Sequence, residues 1–431
     1  MVHYNDSNFV QAAQFFNKAA EKGHPKAQYY LGGLHVEGLG VAKDWSLAAL
    51  WYRKAAEQGL ANAQNNLGVL YKNGTGVLQD AGQAIHWFRQ AAAQDNIAAQ
   101  AHLGEMYLRG KGVAADFSEA EQWNRKAATI GNAHAQTNLG WMYEEGKGVT
   151  QNWQQAAQWY QQAAEQGYAP AQTRLGKLYY NGNGVRQNFD HALQWYRKAA
   201  DQNEIEAQVH LGELYQQGQG VAQNLEFAAQ WYRKAAEQGN PQAQTRLATL
   251  YLQGQGITQN TEQARQWYQK AGEQGYATAQ FHLGAMYDSG QGVPQNAVEA
   301  AKWYRQAAEQ GFMEAQFQLG LMFYDGNGLP KMRSEAAIWF RKAAEQGHDK
   351  AQNNLGLLYY DGLGVSQDFT QAAHWYQKAA KQDNVAAQVN LAVMYEKGRG
   401  VPQDLQQAVH WYQKAADQGD AYAQDELDAL Q

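Results

Sequence analysis

Apolar and small residues recur along the chain at the spacing of amphipathic helices, in two alternating kinds of segment. In the first kind, Ala27, Leu31 and Leu34 lie four and three residues apart, which places them on one face of an α-helix. In the second kind, Ala48 and Tyr52 lie four residues apart and share a face in the same way. The pattern predicts a pair of helices that pack against each other.

This pair recurs every 36 residues without insertion or deletion. Each first helix carries Ala-Gln before a fixed Leu, and each second helix carries a Trp in register with Trp51. Chance does not produce such a register, so the chain is a repeat protein. The fixed Leu stands at Leu31, Leu67, Leu103, Leu139, Leu175, Leu211, Leu247, Leu283, Leu319, Leu355, Leu391 and Leu427.

The loop inside each pair has Gly at two fixed positions, as in Gly38-Leu39-Gly40-Val41. The first Gly suits a left-handed helix cap, the second allows a tight reversal, and the Val can fold back onto the core. Asp44 then begins the second helix as its N-cap, because Asp and Asn side chains accept hydrogen bonds from free N–H groups. Its equivalents are Asp80, Asp116, Asn152, Asn188, Asn224, Asn260, Asn296, Asp368 and Asp404.

One helix pair cannot bury both of its faces, so the pairs are predicted to stack into an all-α superhelix, an α-solenoid of antiparallel helix pairs. We predict a single solenoid domain over residues 1–431, with a half-repeat at 7–23, eleven repeats of 36 residues over 24–419, and a C-terminal capping half-repeat at 420–431. Because the first half-repeat has no preceding helix, a native and a trimmed N-terminus stay open as alternatives. The polar ending indicates a solvated, native C-terminal cap.

The repeat resembles the Sel-one-like repeat (SLR) family, a relative of the tetratricopeptide repeats. Its Gly-x-Gly-Val loop distinguishes this family from ordinary tetratricopeptide units. Met332 at a cap position, and Asp95, Asn203 and Asp383 in place of the last Gly, are mild departures. The motif can be read at Ala351, Leu355, Gly356, Tyr359, Gly362, Gly364, Val365, Asp368, Ala372, Trp375, Tyr376, Lys378, Ala379 and Ala380.

The resemblance implies a right-handed α-superhelix whose members act as adaptors. Such proteins assemble signalling or degradation complexes, regulate cell-envelope enzymes, or neutralise secreted bacterial toxins as immunity proteins. Cysteine-rich bacterial members of the family are linked to β-lactam binding or hydrolysis. That route does not suit this chain, which has no cysteine.

Composition excludes several classes of protein. Without cysteine there is no disulfide framework, zinc–thiolate site or thiol nucleophile. The formal net charge of −6 has the wrong sign for a nucleic-acid partner. No run of 18 apolar residues occurs, so no membrane span is expected. The start lacks the regions of a signal peptide, so we expect a cytoplasmic protein, or a periplasmic or secreted one if a signal peptide was trimmed.

The chain carries no recognisable catalytic or metal-binding motif. The Gly-x-Gly loops lack the Lys of a phosphate-binding loop, and neither His-Glu-x-x-His nor Gly-x-Ser-x-Gly occurs. His102, His210 and His282 share one helical position but lie whole repeats apart, too far to coordinate one ion. The repeated Trp-Tyr pairs favour core packing over sugar binding, and the repeated Ala-Gln favours a structural amide. We predict no enzyme activity, cofactor, metal or small-molecule substrate.

The residues that differ between repeats lie on the first helix, opposite its buried face, where tetratricopeptide units line their concave surface. Adjacent large apolar side chains at solvent-facing positions indicate an interaction patch. The expected main patch, in the eighth to tenth repeats (276–383), consists of Phe281, Phe317, Leu321, Tyr324, Leu357 and Tyr360. A secondary patch with a basic edge is expected at Trp141, Tyr180, Arg174 and Lys177. The alternative is that these side chains pack between neighbouring helices.

The predicted function is a non-catalytic scaffold or adaptor that binds a partner protein or peptide in its concave groove, with aromatic side chains giving most of the affinity. One alternative is a stoichiometric inhibitor, such as an immunity protein that neutralises a secreted bacterial effector. Another is a carbohydrate- or cell-wall-modifying enzyme, for which the sequence offers no paired carboxylates in a unique setting. A consensus-engineered array also fits the unbroken register, but the variable surface argues against it.

Overall fold

The computed structural model describes residues 6–430, and every regular element among them is an α-helix. The first five residues and Gln431, which the predicted domain also includes, lie outside the described part. The chain forms two compact units, an N-terminal half (Met1–Gln223) and a C-terminal half (Asn224–Gln431). No helix between residues 6 and 430 is long and apolar enough to cross a membrane.

The N-terminal half begins with a lone second-type helix, and helices of the first and second type then alternate. Within this half, each helix from α1 to α11 contacts the next one along the chain. Even-numbered helices are the first helices of their pairs. The bounds are α1 (Asp6–Glu21), α2 (Pro25–Glu37), α3 (Trp45–Glu57), α4 (Ala61–Asn73), α5 (Ala81–Ala92), α6 (Ile97–Arg109), α7 (Phe117–Thr129), α8 (Ala133–Glu145), α9 (Trp153–Glu165), α10 (Ala169–Asn181), α11 (Phe189–Ala200) and α12 (Ile205–Gln217).

The C-terminal half continues the same alternation and ends with a first-type helix. Here too, each helix packs on its successor. The bounds are α13 (Leu225–Glu237), α14 (Pro241–Gln253), α15 (Thr261–Glu273), α16 (Ala277–Ser289), α17 (Ala297–Glu309), α18 (Met313–Asp325), α19 (Arg333–Glu345), α20 (Asp349–Asp361), α21 (Phe369–Ala380), α22 (Val385–Lys397), α23 (Leu405–Asp417) and α24 (Ala421–Leu430).

The all-α repeat fold predicted from the sequence is confirmed, with paired helices in a 36-residue register. The predicted half-repeats correspond to α1 and α24. Within each half the small residues let paired helices approach closely. A Cβ atom at Gly140, for example, would lie 2.7 Å from the ring of Tyr160. The extension of one solenoid domain over the whole chain stays a prediction.

The helix ends follow the predicted capping. Gly38 ends α2 in the left-handed conformation, with φ of 72° and its N–H bonded to the carbonyl of Leu34. Asp44 accepts hydrogen bonds from the backbone N–H groups of Ser46 and Leu47, and each of its predicted equivalents also caps its helix with its side chain. Met332, which has no side-chain acceptor, makes no such bond.

In most pairs a buried glutamine of the first helix joins three helices. Nε2 of Gln64 on α4 donates to the carbonyl of Ala56 on α3 at 3.1 Å, and its Oε1 accepts from Nε2 of Gln94, just after α5, at 2.9 Å. The predicted structural role of the repeated Ala-Gln is therefore confirmed. The same two contacts recur at Gln28, Gln136, Gln172, Gln244, Gln280, Gln316, Gln352 and Gln388.

Gln100 on α6 departs from this arrangement. Its Nε2 donates to the carbonyl of Ala92 at 3.5 Å, but its buried Oε1 has no hydrogen-bond partner. The glutamine that donates in the other repeats, such as Gln94, is replaced here by Ile130, whose side chain is 58% exposed. An unsatisfied buried acceptor costs free energy.

We expect Ile130→Gln to raise the free energy of unfolding of the N-terminal half by about 0.5–1.5 kcal/mol, because the new amide can donate to Gln100. Urea unfolding followed by circular dichroism measures this change. Ile130→Ala is the control, since it removes the exposed side chain without supplying a donor. If the Gln variant is no more stable than the Ala variant, Gln100 does not need this partner.

Candidate functional site

A pocket of about 360 Å³ opens in the N-terminal half, on the first helices of three consecutive repeats. These helices are α6, α8 and α10, and α8 contacts both of the others directly. The pocket therefore lies on the face that the sequence predicted to vary between repeats. Its lining residues are Leu108, Arg109, His134, Thr137, Asn138, Trp141, Tyr168, Pro170 and Arg174.

Aromatic rings form much of the pocket wall. Trp141 on α8 is partly buried and packs against the apolar clusters of the repeats on both sides of it. The rings of His134 and Tyr168 are stacked, with centroids 6.2 Å apart and planes 18° apart. Burial lowers the pKa of His134 and raises the pKa of Tyr168, so both rings are uncharged at neutral pH. Such a wall suits an apolar or aromatic side chain of a ligand.

Asn124 on α7, behind this face, breaks the repeat pattern. It is fully buried, its Nδ2 donates to the carbonyl of Ala120 at 2.8 Å, and its Oδ1 accepts from Nδ2 of Asn138 in the pocket wall at 3.1 Å. The first helices on either side of α7, α6 and α8, contact each other directly. An aromatic ring stands at the same position in every other pair, as Tyr52, Phe88, Tyr160, Tyr196, Tyr232, Tyr268, Tyr304, Phe340, Tyr376 and Tyr412.

Positive charge surrounds one carboxylate at the end of α6. Glu105 lies 3.4 Å from Nζ of Lys72, 3.5 Å from Nε of Arg109 and 3.9 Å from Nζ of Lys111. Burial alone would raise the pKa of Glu105, but Lys72 and its other positive neighbours outweigh burial and lower the pKa. Glu105 is therefore ionised at neutral pH and neutralises one of the three cations.

A second charged group supports the opposite wall. Arg174 lies 3.6 Å from Glu144, whose buried carboxylate also accepts a 2.5 Å hydrogen bond from the hydroxyl of Tyr160. Burial raises the pKa of Tyr160, and the Glu144 carboxylate raises it further, so the hydroxyl keeps its proton and donates. This network ties the pocket wall to the core of the repeat.

His210 on α12 forms a further ionic group in the same half. Its Nδ1 lies 3.0 Å from Glu213 and its Nε2 3.8 Å from Glu206, and its ring stacks on Tyr196 at 4.8 Å. Burial lowers the pKa of His210, but the two carboxylates outweigh burial and raise the pKa to about 9. The pKa of Glu206 is correspondingly lowered, first by His210, with Arg174 and Lys177 contributing.

Because the pKa of His210 is higher in the folded protein than in the unfolded chain, protonation of His210 stabilises the fold. This contribution is fully present below the ordinary pKa of 6.5 and is lost as the pH rises through about 9. We expect His210→Gln to destabilise the N-terminal half by about 1–3 kcal/mol near neutral pH. That difference should shrink at alkaline pH, where wild-type His210 is neutral. Urea unfolding of both proteins across this pH range measures it, and a difference independent of pH would show that the charge does not contribute.

The residues predicted as the main binding patch lie in the C-terminal half, and several pack on their neighbours. Phe317 is only 9% exposed, because its ring stacks on His348 at 4.3 Å and also contacts Phe340. Phe281 packs on Phe312 at 5.2 Å. The expectation that Phe317 faces solvent is therefore wrong, because this position of the helix faces the next helix pair.

The other members of this patch are partly exposed. Leu321 and Tyr324 pack against the same apolar cluster as Phe281, and the guanidinium of Arg333 lies 5.2 Å from the Tyr324 ring centre. Leu357 is half-buried. Tyr360 packs against a different apolar cluster, and its hydroxyl accepts a hydrogen bond from Arg399. Partner binding by these residues stays a prediction.

The predicted secondary patch is partly brought together. Trp141 and Arg174 both line the pocket, whereas Tyr180 packs edge-on against Phe189, with ring centroids 5.4 Å apart. Lys177 lies near Glu206. The lining residues that were not predicted as site residues are Leu108, Arg109, His134, Thr137, Asn138, Tyr168 and Pro170. The break in the aromatic series at Asn124 was the signal that could have drawn attention to this part of the chain.

The pocket holds no arrangement suited to acid–base or nucleophilic chemistry. Its histidine is neutral and stacked, and its arginines lie beside carboxylates. Among residues 6–430, no group of three or more His, Asp or Glu side chains is placed to hold a metal ion. The geometry suits recognition of a ligand through rings and charges.

The family model described as the Sel1 repeat matches in twelve copies, at residues 6–24, 25–60, 61–96, 97–132, 133–168, 169–204, 205–240, 241–276, 277–312, 314–348, 349–384 and 385–420. No curated protein matches.

The solved structures that are similar to this chain include two with more than 30% identity. The protein c5321, a protective antigen of uropathogenic Escherichia coli with an SLR fold, is 39% identical to this chain. The alignment covers 97% of this chain and 90% of c5321, with a TM-score of 0.76. A Sel1 repeat protein from Oxalobacter formigenes is 35% identical over 72% of this chain and 90% of its own, with a TM-score of 0.58. The immunity protein Pa5087 from Pseudomonas aeruginosa is 24% identical over 49% of this chain and 81% of its own, and its TM-score of 0.34 supports no argument about function.

Proposed function

Because the chain belongs to the Sel1 repeat family, we propose that it is a non-catalytic scaffold that binds a partner protein, and that the pocket on α6, α8 and α10 is its main binding site. One observation carries this proposal. The pocket combines an accessible Trp141, the stacked rings of His134 and Tyr168, and arginines on both sides. Tryptophan, tyrosine and arginine dominate the energetics of protein interfaces.

The pocket is rigid enough to act as a preformed site. Its rear wall is fixed by the amide pair of Asn124 and Asn138 and by the buried contact of Glu144 with Tyr160. A preformed site loses little conformational entropy when a ligand binds, and this favours affinity. The predicted patch at 276–383 is a second candidate binding surface, for the same partner or for another one. A stoichiometric inhibitor would use the same kind of contact.

Short random peptides displayed on phage and selected against the full chain test the proposal. For the selected peptides, Trp141→Ala is expected to weaken binding by about tenfold or more, because an aromatic side chain at an interface centre often contributes about 2 kcal/mol. Fluorescence polarisation of labelled synthetic peptides measures the dissociation constants.

Leu357→Ala is the matched control, since Leu357 stands at the position of Trp141 in another repeat. It should leave binding unchanged. If Leu357→Ala weakens binding and Trp141→Ala does not, the main site is the patch at 276–383. If no peptide is enriched, or if neither variant matters, the pocket is not a peptide-binding site. Circular dichroism checks that both variants stay folded.

A further inference from the structure

The charges around the pocket are unequal on its two sides. At the end of α6, Lys72, Arg109 and Lys111 surround the single carboxylate of Glu105, so three positive charges face one negative charge and two are in excess. The side chains of Arg109 and Lys111 are 55% and 60% exposed, so this excess is accessible to a ligand. Glu105 itself is largely buried beneath them.

The opposite side of the pocket carries no such excess. Arg174 is paired with Glu144, and Glu206 interacts first with His210 and then with Arg174 and Lys177. His210 also pairs with Glu213, so three positive groups on this side face three carboxylates. Burial raises the pKa of the Tyr168 hydroxyl, and the negative charges of Glu105 and then Glu204 raise it further. A negatively charged ligand group is therefore favoured at the α6 end of the pocket over the α10 end.

Between the two ends lie apolar surfaces. Leu108 stands beside Arg109 in the lining, and Trp141 and Tyr168 complete the wall. A ligand that matches this arrangement needs a large apolar or aromatic side chain next to a carboxylate. Arginine binds carboxylates through charge-assisted hydrogen bonds, and pairing of opposite charges selects the orientation of a partner.

We propose, resting on the proposed function of this pocket, that its occupant is an acidic peptide segment of the partner. An aromatic or large apolar side chain of that segment lies on Trp141 and Tyr168, and a neighbouring Asp or Glu pairs with Arg109 and Lys111. The segment runs so that its carboxylate lies at the α6 end.

The test uses the full chain and the displayed random peptides. The enriched peptides are expected to contain an aromatic or large apolar residue with Asp or Glu within a few positions of it. Two versions of the tightest peptide are then made, one with its Asp and Glu and one with Asn and Gln in their place. The acidic version should bind the wild-type chain about tenfold or more tightly, and added salt should reduce this advantage.

The double variant Arg109→Gln and Lys111→Gln should bind both versions equally and weakly. Lys397→Gln is the matched control, because Lys397 occupies the position of Arg109 in another repeat, and it should behave as wild type. All replaced residues are exposed, so the helix content should not change.

The outcomes separate the two proposals. If peptide binding depends on Trp141 but the acidic and neutral versions of the peptide bind equally tightly, the proposal of an acidic occupant is wrong and the pocket remains the binding site. Enrichment of Lys and Arg in the selected peptides would overturn it as well. Peptides insensitive to Trp141→Ala would overturn the pocket as the main site, and the acidic occupant with it.

Discussion

Tyr160→Ala is expected to lower the free energy of unfolding of the N-terminal half by about 3–5 kcal/mol. The ring is fully buried on α9 and packs in the apolar core of its repeat. Its loss leaves a cavity, and it also removes the donor to the buried Glu144 carboxylate. A buried charge without its hydrogen bond is costly, which places the effect toward the upper end of this range.

Tyr160→Phe separates the two contributions, because it keeps the ring and removes only the hydroxyl. We expect it to cost about 1–3 kcal/mol, the usual penalty for leaving a buried acceptor unsatisfied. Urea unfolding of wild type and both variants gives the comparison. If Tyr160→Phe is as stable as wild type, the Tyr160 hydroxyl does not hold the Glu144 carboxylate in place, and Glu144 does not fix Arg174 in the pocket wall through this bond.

Gly184→Ala is expected to destabilise the N-terminal half by about 3 kcal/mol or more, from a strained backbone conformation and a steric overlap together. Gly184, in the loop after α10, has φ of +69°, and a Cβ atom there would lie 2.2 Å from the carbonyl oxygen of Trp153 on α9. The left-handed conformation alone costs a non-glycine residue about 1–2 kcal/mol. The remainder arises because the backbone of the loop or of α9 must move to remove the overlap.

Gly167→Ala is the matched control for this substitution. Gly167 also has a positive φ, +86°, but a Cβ atom there would meet nothing within 4 Å. It should therefore show only the conformational cost of about 1–2 kcal/mol. Thermal and urea unfolding of both variants measure the difference. Equal destabilisation would mean that the loop of one repeat does not pack against the preceding second helix.

The fold could be predicted because each repeat carries its full set of local signals. In nearly every copy the helix periodicity agrees with the Gly caps and with the Asp or Asn N-caps. Local conformational preferences and the packing of the whole chain then favour the same fold. The exceptions also follow physical rules. Asp95, Asn203 and Asp383, which replace the last Gly, take positive φ values of 59°, 65° and 61°. Asp and Asn tolerate this conformation better than other non-glycine residues.

The repeated tryptophans show how far a pattern can describe packing. They were predicted to be core residues, and Trp87, Trp339, Trp375 and Trp411 are buried. Others are partly exposed, and a lysine three residues later lies over the ring in five of them, Trp51, Trp123, Trp195, Trp231 and Trp267. In one of these, Nζ of Lys234 lies 4.0 Å from the ring centre of Trp231. Sequence periodicity predicts which face of a helix packs against the core. Whether a lysine lies over a partly exposed ring depends on the conformation of the lysine side chain, which periodicity does not predict.

The site was less predictable because it depends on contacts between repeats. A helical projection placed Phe317 on the surface, since it describes one helix alone. In the structure the neighbouring pair supplies His348 and Phe340, which cover the ring. Trp141 and Arg174, both predicted members of the secondary patch, line the same pocket. Their pocket also needs Tyr168 and Pro170 from the start of α10 and the small Asn124 behind α8, and no single-helix pattern connects these residues.

The central claim is that the pocket on α6, α8 and α10 binds the partner. Hydrogen–deuterium exchange of the full chain, with and without the tightest selected peptide, tests it most directly, because it reports every segment at once. The predicted result is slower exchange in α6 near Arg109, in α8 around Trp141 and at the start of α10. Protection confined to α16, α18 and α20, or to the second helices of the pairs, would contradict the claim.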